Sequence, residues 1–599
     1  MRGVVALVVS GGLGLLFVWA VRRIARERGF VAAPSADRWH RQPTALGGGI
    51  AIALAVIGAM AATTGARDPI WGLLLGGALL LVVGFVDDCV PLKPVPKIVA
   101  QLVAAAIAIL FGFHVRFFEL DALNIAVSFL WIVAMTNAVN LLDNMDGLAA
   151  GVVLIAAACM AAGYAASAAS AATLALALIG ALAAFLVFNR PPATIFMGDS
   201  GSLFIGYLLA TLSLYKDLAS DVVTFVAVPA LALLVPILDT SLVTITRVLR
   251  GRSIAQGGRD HSSHRLVRLG LSEPDAVKLL WGLAAVAGGA AAITQHISYS
   301  IGLGILPLLI LGTCLLGSYL GRVQVIDRDA GGEAGGFVRL AIDFSAKGRI
   351  FEAVLDAVLA VTCYYLAYGL RFEFDPENPY WRRAYESLPL AVGATMLAFL
   401  ASGVYRGIWR FMGINELGVF LRASGQATLF SAVMVIAFYR FEGYSRAVFA
   451  IYGALLFLAL VATRASFQLI DDLISRRRAG RLVVIAGAGE PGEAAMRYLS
   501  SARELDLKPI GFVDDDVRMH GRSIHGYPVL GGLADLERIH AATPFEGVVL
   551  SSKSLPAERL ALIRDFCERA HVSLVALQME LTDVRSGSAD AKPLGSVRS

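Results

Sequence analysis

Four short polar stretches in an otherwise apolar sequence contain the side chains suited to chemistry. Each combines carboxylates, carboxamides or imidazoles with glycine or a basic residue. They are Asp87-Asp88 with Lys97 and Gln101 after it, Asn137-Ala-Val-Asn140-Leu-Leu-Asp143-Asn-Met-Asp146-Gly147, Asn189-Arg190 with Gly198-Asp199-Ser-Gly-Ser after it, and Asp239 with Arg259-Asp-His261-Ser-Ser-His264-Arg265 after it.

The types and spacing of these residues point to phosphate chemistry. The polar residues of the second stretch recur every three positions, so a helix would align them in one stripe. The aspartates of the first three stretches would repel one another without a hard cation among them. Oxygen ligands beside a phosphate favour Mg²⁺, with Mn²⁺ as the alternative. The basic and imidazole residues of the fourth stretch are expected to bind phosphate charge. Together they predict phosphoryl transfer.

The rest of the chain must position these residues, and its composition is that of a membrane protein. Of its 599 residues, 57% are hydrophobic and 16% are charged. Soluble proteins contain about 25% charged residues, so a soluble globular protein and a disordered one are both excluded. About 27% of residues 471–599 are charged, against about 13% of the others. We therefore expect a membrane body followed by a soluble tail.

Apolar runs predict about fifteen transmembrane helices, since each is long enough to cross about 30 Å of hydrocarbon. The first run precedes its arginines, which predicts an uncleaved span. Arginines concentrate in the first and ninth loops, so odd-numbered loops are expected to face the cytoplasm, together with all four polar stretches and the tail. The runs are 3–21, 46–64, 70–86, 97–113, 124–141, 148–165, 171–188, 200–215, 223–243, 278–295, 300–317, 350–369, 386–404, 424–440 and 446–465.

Other bulk properties exclude further classes of protein. The net charge of +5 is small, so no nucleic-acid partner is expected. Five scattered cysteines without a Cys-x-x-Cys pair exclude a disulfide scaffold and a zinc site. The alternative to an enzyme is a transporter or flippase of lipid-linked or nucleotide sugars. That alternative predicts charges near the bilayer midplane and a symmetrical repeat, whereas these charges gather at one face.

Residues 1 to about 320 resemble the polyprenyl-phosphate N-acetylhexosamine-1-phosphate transferase superfamily, glycosyltransferase family 4. The resemblance implies an eleven-helix enzyme of a bacterial-type inner membrane. With Mg²⁺, it would transfer a sugar-1-phosphate from a UDP-sugar to polyprenyl phosphate at the cytoplasmic face, release UMP and initiate a lipid-linked glycan. The matching motifs are Pro43-Thr44-Ala-Leu-Gly47-Gly48, Asp87-Asp88, Asn140-Leu-Leu-Asp143-Asn-Met-Asp146-Gly147, Phe196-Met-Gly-Asp199-Ser-Gly201-Ser and the His261 loop.

The same resemblance implies roles for individual residues. The aspartate matching Asp199 ligates Mg²⁺, those matching Asp87 and Asp88 act near the lipid phosphate, one as its general base, and the histidine loop holds the donor. The candidate catalytic residues are Asp87, Asp88, Asp143, Asp146 and His261, the candidate metal ligands are Asp199 and Asp143, and the candidate substrate-binding residues are Thr44, Lys97, Asn137, Asn140, Asn189, His264 and Arg265.

The branch of the superfamily that the chain resembles indicates the expected donor substrate and partners. The chain resembles the branch that initiates O-antigen and related glycans more than the peptidoglycan branch. UDP-GlcNAc is therefore the first candidate donor, and a related UDP-N-acetyl-aminosugar is the second. Many relatives have histidine at the position of Ser263, which leaves open how the donor's sugar is held. Polyprenyl phosphate and the bilayer are the other expected partners. A second copy of the chain and other glycan-biosynthesis enzymes are further candidates.

Residues 346 to about 575 resemble the N-terminal part of membrane-bound nucleotide-sugar dehydratases and epimerases of polysaccharide biosynthesis. A strand over 482–486 and a helix over 493–499 are predicted to flank a phosphate-binding turn of Gly487, Gly489 and Gly492, with Asp514 placed to bind a ribose. The motifs are Val404-Tyr-Arg-Gly-Ile-Trp-Arg410, Tyr444-Ser-Arg446, Gly487-Ala-Gly-Glu-Pro-Gly492 and Gly511-Phe-Val-Asp-Asp-Asp516.

The dehydratases continue into a catalytic domain with a Tyr-x-x-x-Lys pair, and no tyrosine after Gly480 has a lysine four positions on. We therefore expect this unit to bind a nucleotide or nucleotide-sugar, to regulate or to dock, without dehydratase activity. The predicted organisation is an eleven-helix transferase domain (1–320), a cytoplasmic linker (321–345), a four-helix membrane domain (346–470), a cytoplasmic α/β Rossmann-like domain (478–580) and a flexible tail (581–599).

Overall fold

The structure is a computed structural model, and it divides the chain into two compact units, Met1–Gln468 and Leu469–Ser599. The residues that it describes are 1–32, 43–116, 118–164, 169–215, 229–249, 258, 260–296, 299–322, 344–375, 378–405, 414–477, 480–501, 505, 507–524, 526–551 and 556–577.

The first unit is built from helices and one two-stranded sheet of β1 (Val31–Ala32) and β2 (Thr44–Ala45). Its helices are α1 (Arg2–Glu27), α2 (Gly48–Thr63), α3 (Ile70–Cys89), α4 (Pro94–Leu110), α5 (Asp121–Leu142), α6 (Leu148–Tyr164), α7 (Ala169–Asn189), α8 (Gly198–Leu212), α9 (Leu234–Leu249), α10 (Ser262–Arg268), α11 (Glu273–His296), α12 (Tyr299–Arg322), α13 (Phe344–Phe372), α14 (Tyr380–Ala401), α15 (Ile414–Tyr439) and α16 (Arg446–Arg477).

The helices agree with a membrane protein. Ten of the described helices are long and apolar enough to cross a membrane, and three shorter apolar helices accompany them. Every one of the fifteen predicted runs overlaps a described helix, although the first part of the run 223–243 lies outside the described residues. The count of fifteen spans therefore stays a prediction, while the multi-span helical architecture is confirmed.

Glycines let the helices around α8 approach each other closely. A Cβ atom added at Gly49 of α2 would lie 2.2 Å from the Cα of Gly201, and one at Gly84 of α3 would lie 2.5 Å from the carbonyl oxygen of Asp199. Only glycine fits such backbone contacts, as at other close helix crossings in membranes. The end of α3 that carries Asp87 and Asp88 is thereby held against the first turn of α8.

The two parts of the first unit have separate cores. One apolar cluster fills the space among α1–α9, and another fills the bundle of α13–α16. Inside the second bundle, Arg464 of α16 forms a bidentate ion pair with Asp356 of α13, with both N–O distances 2.8 Å, and both side chains are buried. A charge buried in a helical bundle needs such a partner.

The second unit contains a six-stranded sheet. The parallel strands run in the spatial order third, second, first, fourth, fifth along the chain, which is the order of doubly wound nucleotide-binding sheets. The short strand β5 (Ser523–Ile524) pairs antiparallel with β6 (Tyr527–Gly531) at one edge. The order is β5 (Ser523–Ile524), β6 (Tyr527–Gly531), β4 (Leu507–Val513), β3 (Arg481–Ala486), β7 (Gly547–Leu550) and β8 (Ser573–Ala576), with helices α17 (Glu490–Ser501), α18 (Leu536–Ala542) and α19 (Ala557–Ala570).

Candidate functional site

Three helix ends bring two carboxylates and an ammonium group together. The Nζ of Lys97, in the first turn of α4, donates a hydrogen bond to Asp87 at the end of α3. It also donates to the Oδ2 of Asp199, in the first turn of α8, at 2.9 Å. Asp87 and Lys97 belong to the first polar stretch and Asp199 to the third. The first and third polar stretches therefore meet at this point, and the prediction that all four share one membrane face stays a prediction.

Asp88 holds the start of α8. Its two carboxylate oxygens accept hydrogen bonds from the backbone N–H groups of Asp199 at 2.8 Å and Ser200 at 3.2 Å. A carboxylate at a helix N-terminus satisfies free N–H groups and favours the helix dipole. Gly198 has a φ of +74°, and a Cβ there would lie 2.5 Å from the carboxylate of Asp88. Asp88 therefore fixes the position of Asp199.

Carboxamides of α5 approach the same carboxylates. The Nδ2 of Asn140 donates to the Oδ1 of Asp199 at 3.2 Å and to the hydroxyl of Ser202 at 2.8 Å. One turn earlier, Asn137 and Gln101 of α4 exchange amide hydrogen bonds of 2.6 and 3.2 Å. Asn137 thus ties α5 to α4, and Asn140 orients Asp199.

The predicted helical stripe is wrong for its last two members. Helix α5 ends at Leu142, so Asp143 and Asp146 lie in the turn that follows, which contains Gly147 at a φ of +75°. Desolvation, together with the nearby carboxylate of Asp199, raises the pKa of Asp143 to about 7. The Oδ2 of Asp146 accepts the backbone N–H of Ala193 at 2.8 Å, so it joins this turn to the segment before α8.

Two predicted substrate-binding residues are buried in the protein. The amide of Asn189 accepts the N–H of Gly147 and donates to the carbonyl of Ile195, both at 2.9 Å. Thr44 lies in β2, paired with β1, and is 5% exposed. We correct the role of Asn189 to a structural one, because its polar atoms bind backbone groups that shape the loop before α8.

The histidine loop is anchored to α9 by Asp239, which belongs to the fourth polar stretch but is not among the predicted site residues. The Nδ1 of His261 lies 2.8 Å from the Oδ2 of Asp239, and the Oδ1 of Asp239 accepts the N–H and the hydroxyl of Ser262, both at 2.6 Å. Burial lowers the pKa of His261, but the charge of Asp239, the hydrogen bond to Asp239 and the charge of Asp260 together outweigh burial and raise the pKa above its ordinary value. An ionisable residue inside an apolar helix is energetically unfavourable without a partner, and this feature of the sequence indicates that Asp239 has a role.

Arg265 does not have the predicted phosphate-binding role. It is fully buried, and its guanidinium donates to the carbonyls of Asp260 at 2.7 Å and Leu320 at 2.8 Å and to the hydroxyl of Thr246 at 2.9 Å. These bonds join α10 to α9 and α12. The neighbouring Arg247 forms a bidentate ion pair with Asp260. Its Nε donates to the Oδ2 of Asp260 at 2.8 Å, and its Nη2 donates to the Oδ1 at 2.7 Å.

Ser263 of α10 contacts the turn after α5. The hydroxyl of Ser263 donates to the Oδ1 of Asn144 at 2.6 Å, which links the histidine loop to the turn of Asp143. His264 is 4% exposed, and its ring lies edge-to-face with that of His261 at 6.1 Å between centroids. Arg259, the other basic residue of the predicted cluster, lies outside the described residues.

The donor set fits a hard cation held partly by substrate. The described residues contain no group of three or more His, Cys, Asp or Glu side chains arranged to hold a metal. Mg²⁺ usually takes only one or two protein carboxylates and completes its shell with phosphate oxygens and water. Asp199 and Asp143 would supply oxygen ligands of that kind, and desolvation together with the charge of Asp199 raises the pKa of Asp143.

The glycine turn of the second unit lies at the predicted residues, between a strand and a helix. The strand β3 ends at Ala486, directly before Gly487 at a φ of +103°, and helix α17 begins at Glu490, three residues earlier than predicted. A Cβ at Gly492 would lie 1.9 Å from the carbonyl oxygen of Gly487. Asp514 follows β4, and its carboxylate accepts the N–H of Ala488 in this turn at 2.7 Å.

Comparisons with known proteins agree with this geometry. The model of glycosyl transferase family 4 matches residues 70–217. A probable undecaprenyl-phosphate N-acetylglucosaminyl 1-phosphate transferase of Bacillus subtilis is 31% identical over 335 residues, 54% of this chain and 94% of the relative. The chain belongs to glycosyl transferase family 4.

Two further proteins are similar to this family 4 chain. A decaprenyl-phosphate N-acetylglucosaminephosphotransferase of Mycobacterium tuberculosis is 32% identical over 314 residues, 45% of this chain and 77% of the relative. A phospho-N-acetylmuramoyl-pentapeptide-transferase of Lactobacillus gasseri is 33% identical over 227 residues, 33% of this chain and 70% of the relative. A CoA-binding domain model matches residues 401–579, which include the α/β sheet.

Proposed function

We propose that this protein transfers a sugar-1-phosphate from a UDP-sugar to polyprenyl phosphate and releases UMP, with UDP-GlcNAc as the preferred donor. The observation that carries the proposal is the convergence of Asp87, Lys97 and Asp199 from three helices of a family 4 fold. Relatives named as polyprenyl-phosphate N-acetylglucosamine-1-phosphate transferases support the same reaction.

The reaction is a displacement at phosphorus. An oxygen of the acceptor phosphate forms a bond to the phosphorus that carries the sugar, and the bond from that phosphorus to the UMP oxygen breaks. A phosphate monoester has a second pKa of about 6, so the acceptor is largely dianionic at pH 7 and hardly needs a base. Positioning and charge stabilisation then supply most of the catalysis.

The residues of the site divide this work. Lys97 keeps the two carboxylates of Asp87 and Asp199 together and adds positive charge beside the phosphates. Asn140 and Asp88 orient Asp199 from two sides. Asp87 is the member of the aspartate pair that lies beside Lys97, so it faces the acceptor phosphate, and His261 binds the donor. Mg²⁺ held by Asp199 and Asp143 would neutralise the donor's pyrophosphate.

The proposed setting is a bacterial-type inner membrane with the site on the cytoplasmic side. The arginines of the first and ninth loops support this orientation. The product would begin a lipid-linked glycan, such as an O-antigen, capsule, exopolysaccharide or cell-wall polymer.

UMP release by the purified full-length chain tests the reaction. The assay contains polyprenyl phosphate, Mg²⁺ and one of a panel of UDP-sugars. We expect release with UDP-GlcNAc, loss on chelation with EDTA and recovery with added Mg²⁺. Asp199→Asn should lower the rate about a hundredfold or more, whereas Asp121→Asn, an exposed residue at the opposite end of α5, should leave it unchanged. Metal-independent release, or an unimpaired Asp199→Asn, would refute the mechanism.

For the second unit, we propose binding of a nucleotide or nucleotide-sugar at the turn of Gly487, Gly489 and Gly492. The parallel strand order and the helix that follows the turn support it, because the N–H groups of a helix N-terminus bind phosphate. Calorimetric titration of residues 478–599 with nucleotides, nucleotide-sugars and CoA measures it. No affinity for any of them would exclude ligand binding at this turn.

A further inference from the structure

Asp239 is an ionisable residue with an unusual position. It lies in the middle of the apolar helix α9 and is fully buried. A carboxylate in such surroundings is costly unless its oxygens are paired. Both oxygens are engaged with the histidine loop, through the Nδ1 of His261 and the N–H and hydroxyl of Ser262. The hydrogen bonds to the histidine loop therefore offset the free-energy cost of burying this carboxylate.

The contact fixes the orientation of the imidazole. When Nδ1 donates its proton to a carboxylate, the ring has a defined tautomer, and Nε2 points to the opposite side. In the described part of the chain, no hydrogen bond joins Nε2 to another residue. The protonated ring then presents an N–H that a phosphate oxygen of the donor can accept.

Charged groups around the ring favour that protonated form. Asp239 and Arg247 face it from α9, Asp260 precedes it in the loop, and His264 packs against it from α10. Arg247 forms a bidentate pair with Asp260, and among the described residues the carboxylate in direct contact with the ring is that of Asp239. The net effect on the imidazole is a raised pKa.

We propose that Asp239 is a positioning residue that holds His261 as a cationic hydrogen-bond donor to the pyrophosphate of the donor substrate. This inference deepens the proposed function and rests on it. Asp239 acts through His261 and does not touch substrate. The alternative is that Asp239 is purely structural and only binds Ser262 at the start of α10. This alternative predicts different kinetics.

Kinetics of the full-length protein separate the two roles. Asp239→Asn should lower kcat/KM for UDP-GlcNAc about tenfold to a hundredfold and leave the KM for polyprenyl phosphate within about twofold. The alkaline limb of the pH profile should move to lower pH, because the imidazole loses its proton more readily without the carboxylate. Asp239→Glu should restore the limb. The matched control Asp275→Asn, exposed on α11, should behave like wild type.

A double variant tests whether Asp239 acts through the ring. If it does, Asp239→Asn combined with His261→Asn is no worse than His261→Asn alone. Additive losses, or an Asp239→Asn whose alkaline limb does not move, would overturn the proposal. If the Asp239→Asn protein does not accumulate, the His261→Asn protein alone is used to test the proposal. Its KM for UDP-GlcNAc must rise about tenfold. An unchanged KM overturns the proposal.

Binding of UDP, measured calorimetrically, distinguishes this inference from the proposed function. Wild type that releases no UMP and binds no UDP contradicts the proposed transferase. Active wild type beside an Asp239→Asn with wild-type UDP affinity and pH profile contradicts only the role of Asp239.

Discussion

Lys97 contacts carboxylates of two different polar stretches. Two carboxylates brought together by separate helices repel each other, and an ammonium between them offsets that repulsion. The ion pair therefore holds the ends of α3 and α8 in register at the point where the phosphates are proposed to react.

Replacing Lys97 tests this role. Lys97→Met keeps the length of the side chain and removes its charge, so we expect the rate of UMP release at saturating substrates to fall at least about tenfold. Lys93→Met is the matched control, because Lys93 is exposed at the start of the same helix. A Lys97→Met rate within about twofold of wild type would contradict a catalytic contribution of this cation.

Sequence reasoning found the residues whose role depends on local pattern and missed those whose role depends on tertiary partners. Asp87 and Asp199 belong to short motifs at helix ends, and they converge as predicted. Arg265 has the same basic character as a phosphate ligand, and only the positions of Thr246 and the Leu320 carbonyl show that it is structural. Asp239 was noted only as the residue before the loop, because nothing local links it to a histidine 22 positions later.

At the scale of elements, the crossing of α3 with α8 positions the site. The carboxylates of Asp87 and Asp88 reach Asp199 because Gly84 lets the helix backbones touch. Hydropathy predicted where these helices lie, but it measures apolar depth and does not detect helix ends. Helix α16 accordingly continues to Arg477, twelve residues beyond the predicted run.

Gly84→Ala should separate the two helices. The new methyl group would lie 2.5 Å from the backbone of Asp199 and Ser200, which cannot move aside as a flexible side chain can. Overpacking of this kind costs about 1–3 kcal/mol, so we expect a lower thermal midpoint in detergent and a loss of UMP release. Gly282→Ala is the control, because its methyl group would meet no atom within 4 Å. Equal midpoints and rates for the two variants would show that α3 and α8 are not in close contact.

At the scale of the whole molecule, the chain joins two units that each have their own core. The polar residues of the transferase site all lie in Met1–Gln468, and the α/β sheet of the second unit buries separate apolar clusters on its two faces. The CoA-binding domain match extends from residue 401 to residue 579, so it spans the end of the four-helix bundle and the sheet together. One family model therefore covers the last two helices of the bundle and the sheet.

Removal of the second unit tests whether the transferase works without it. A chain of residues 1–468 retains every proposed catalytic and positioning residue and both apolar cores of the helical unit. We expect its rate of UMP release, per folded molecule, to stay within about twofold of the full chain, since chemistry at Asp199 depends on neighbours within the first unit. Gel filtration and thermal unfolding in detergent provide the count of folded molecules. A folded truncated chain with a rate more than about tenfold lower would show that the α/β domain controls the transferase. The same assay with nucleotides added to the full chain would then identify the ligand that mediates this control.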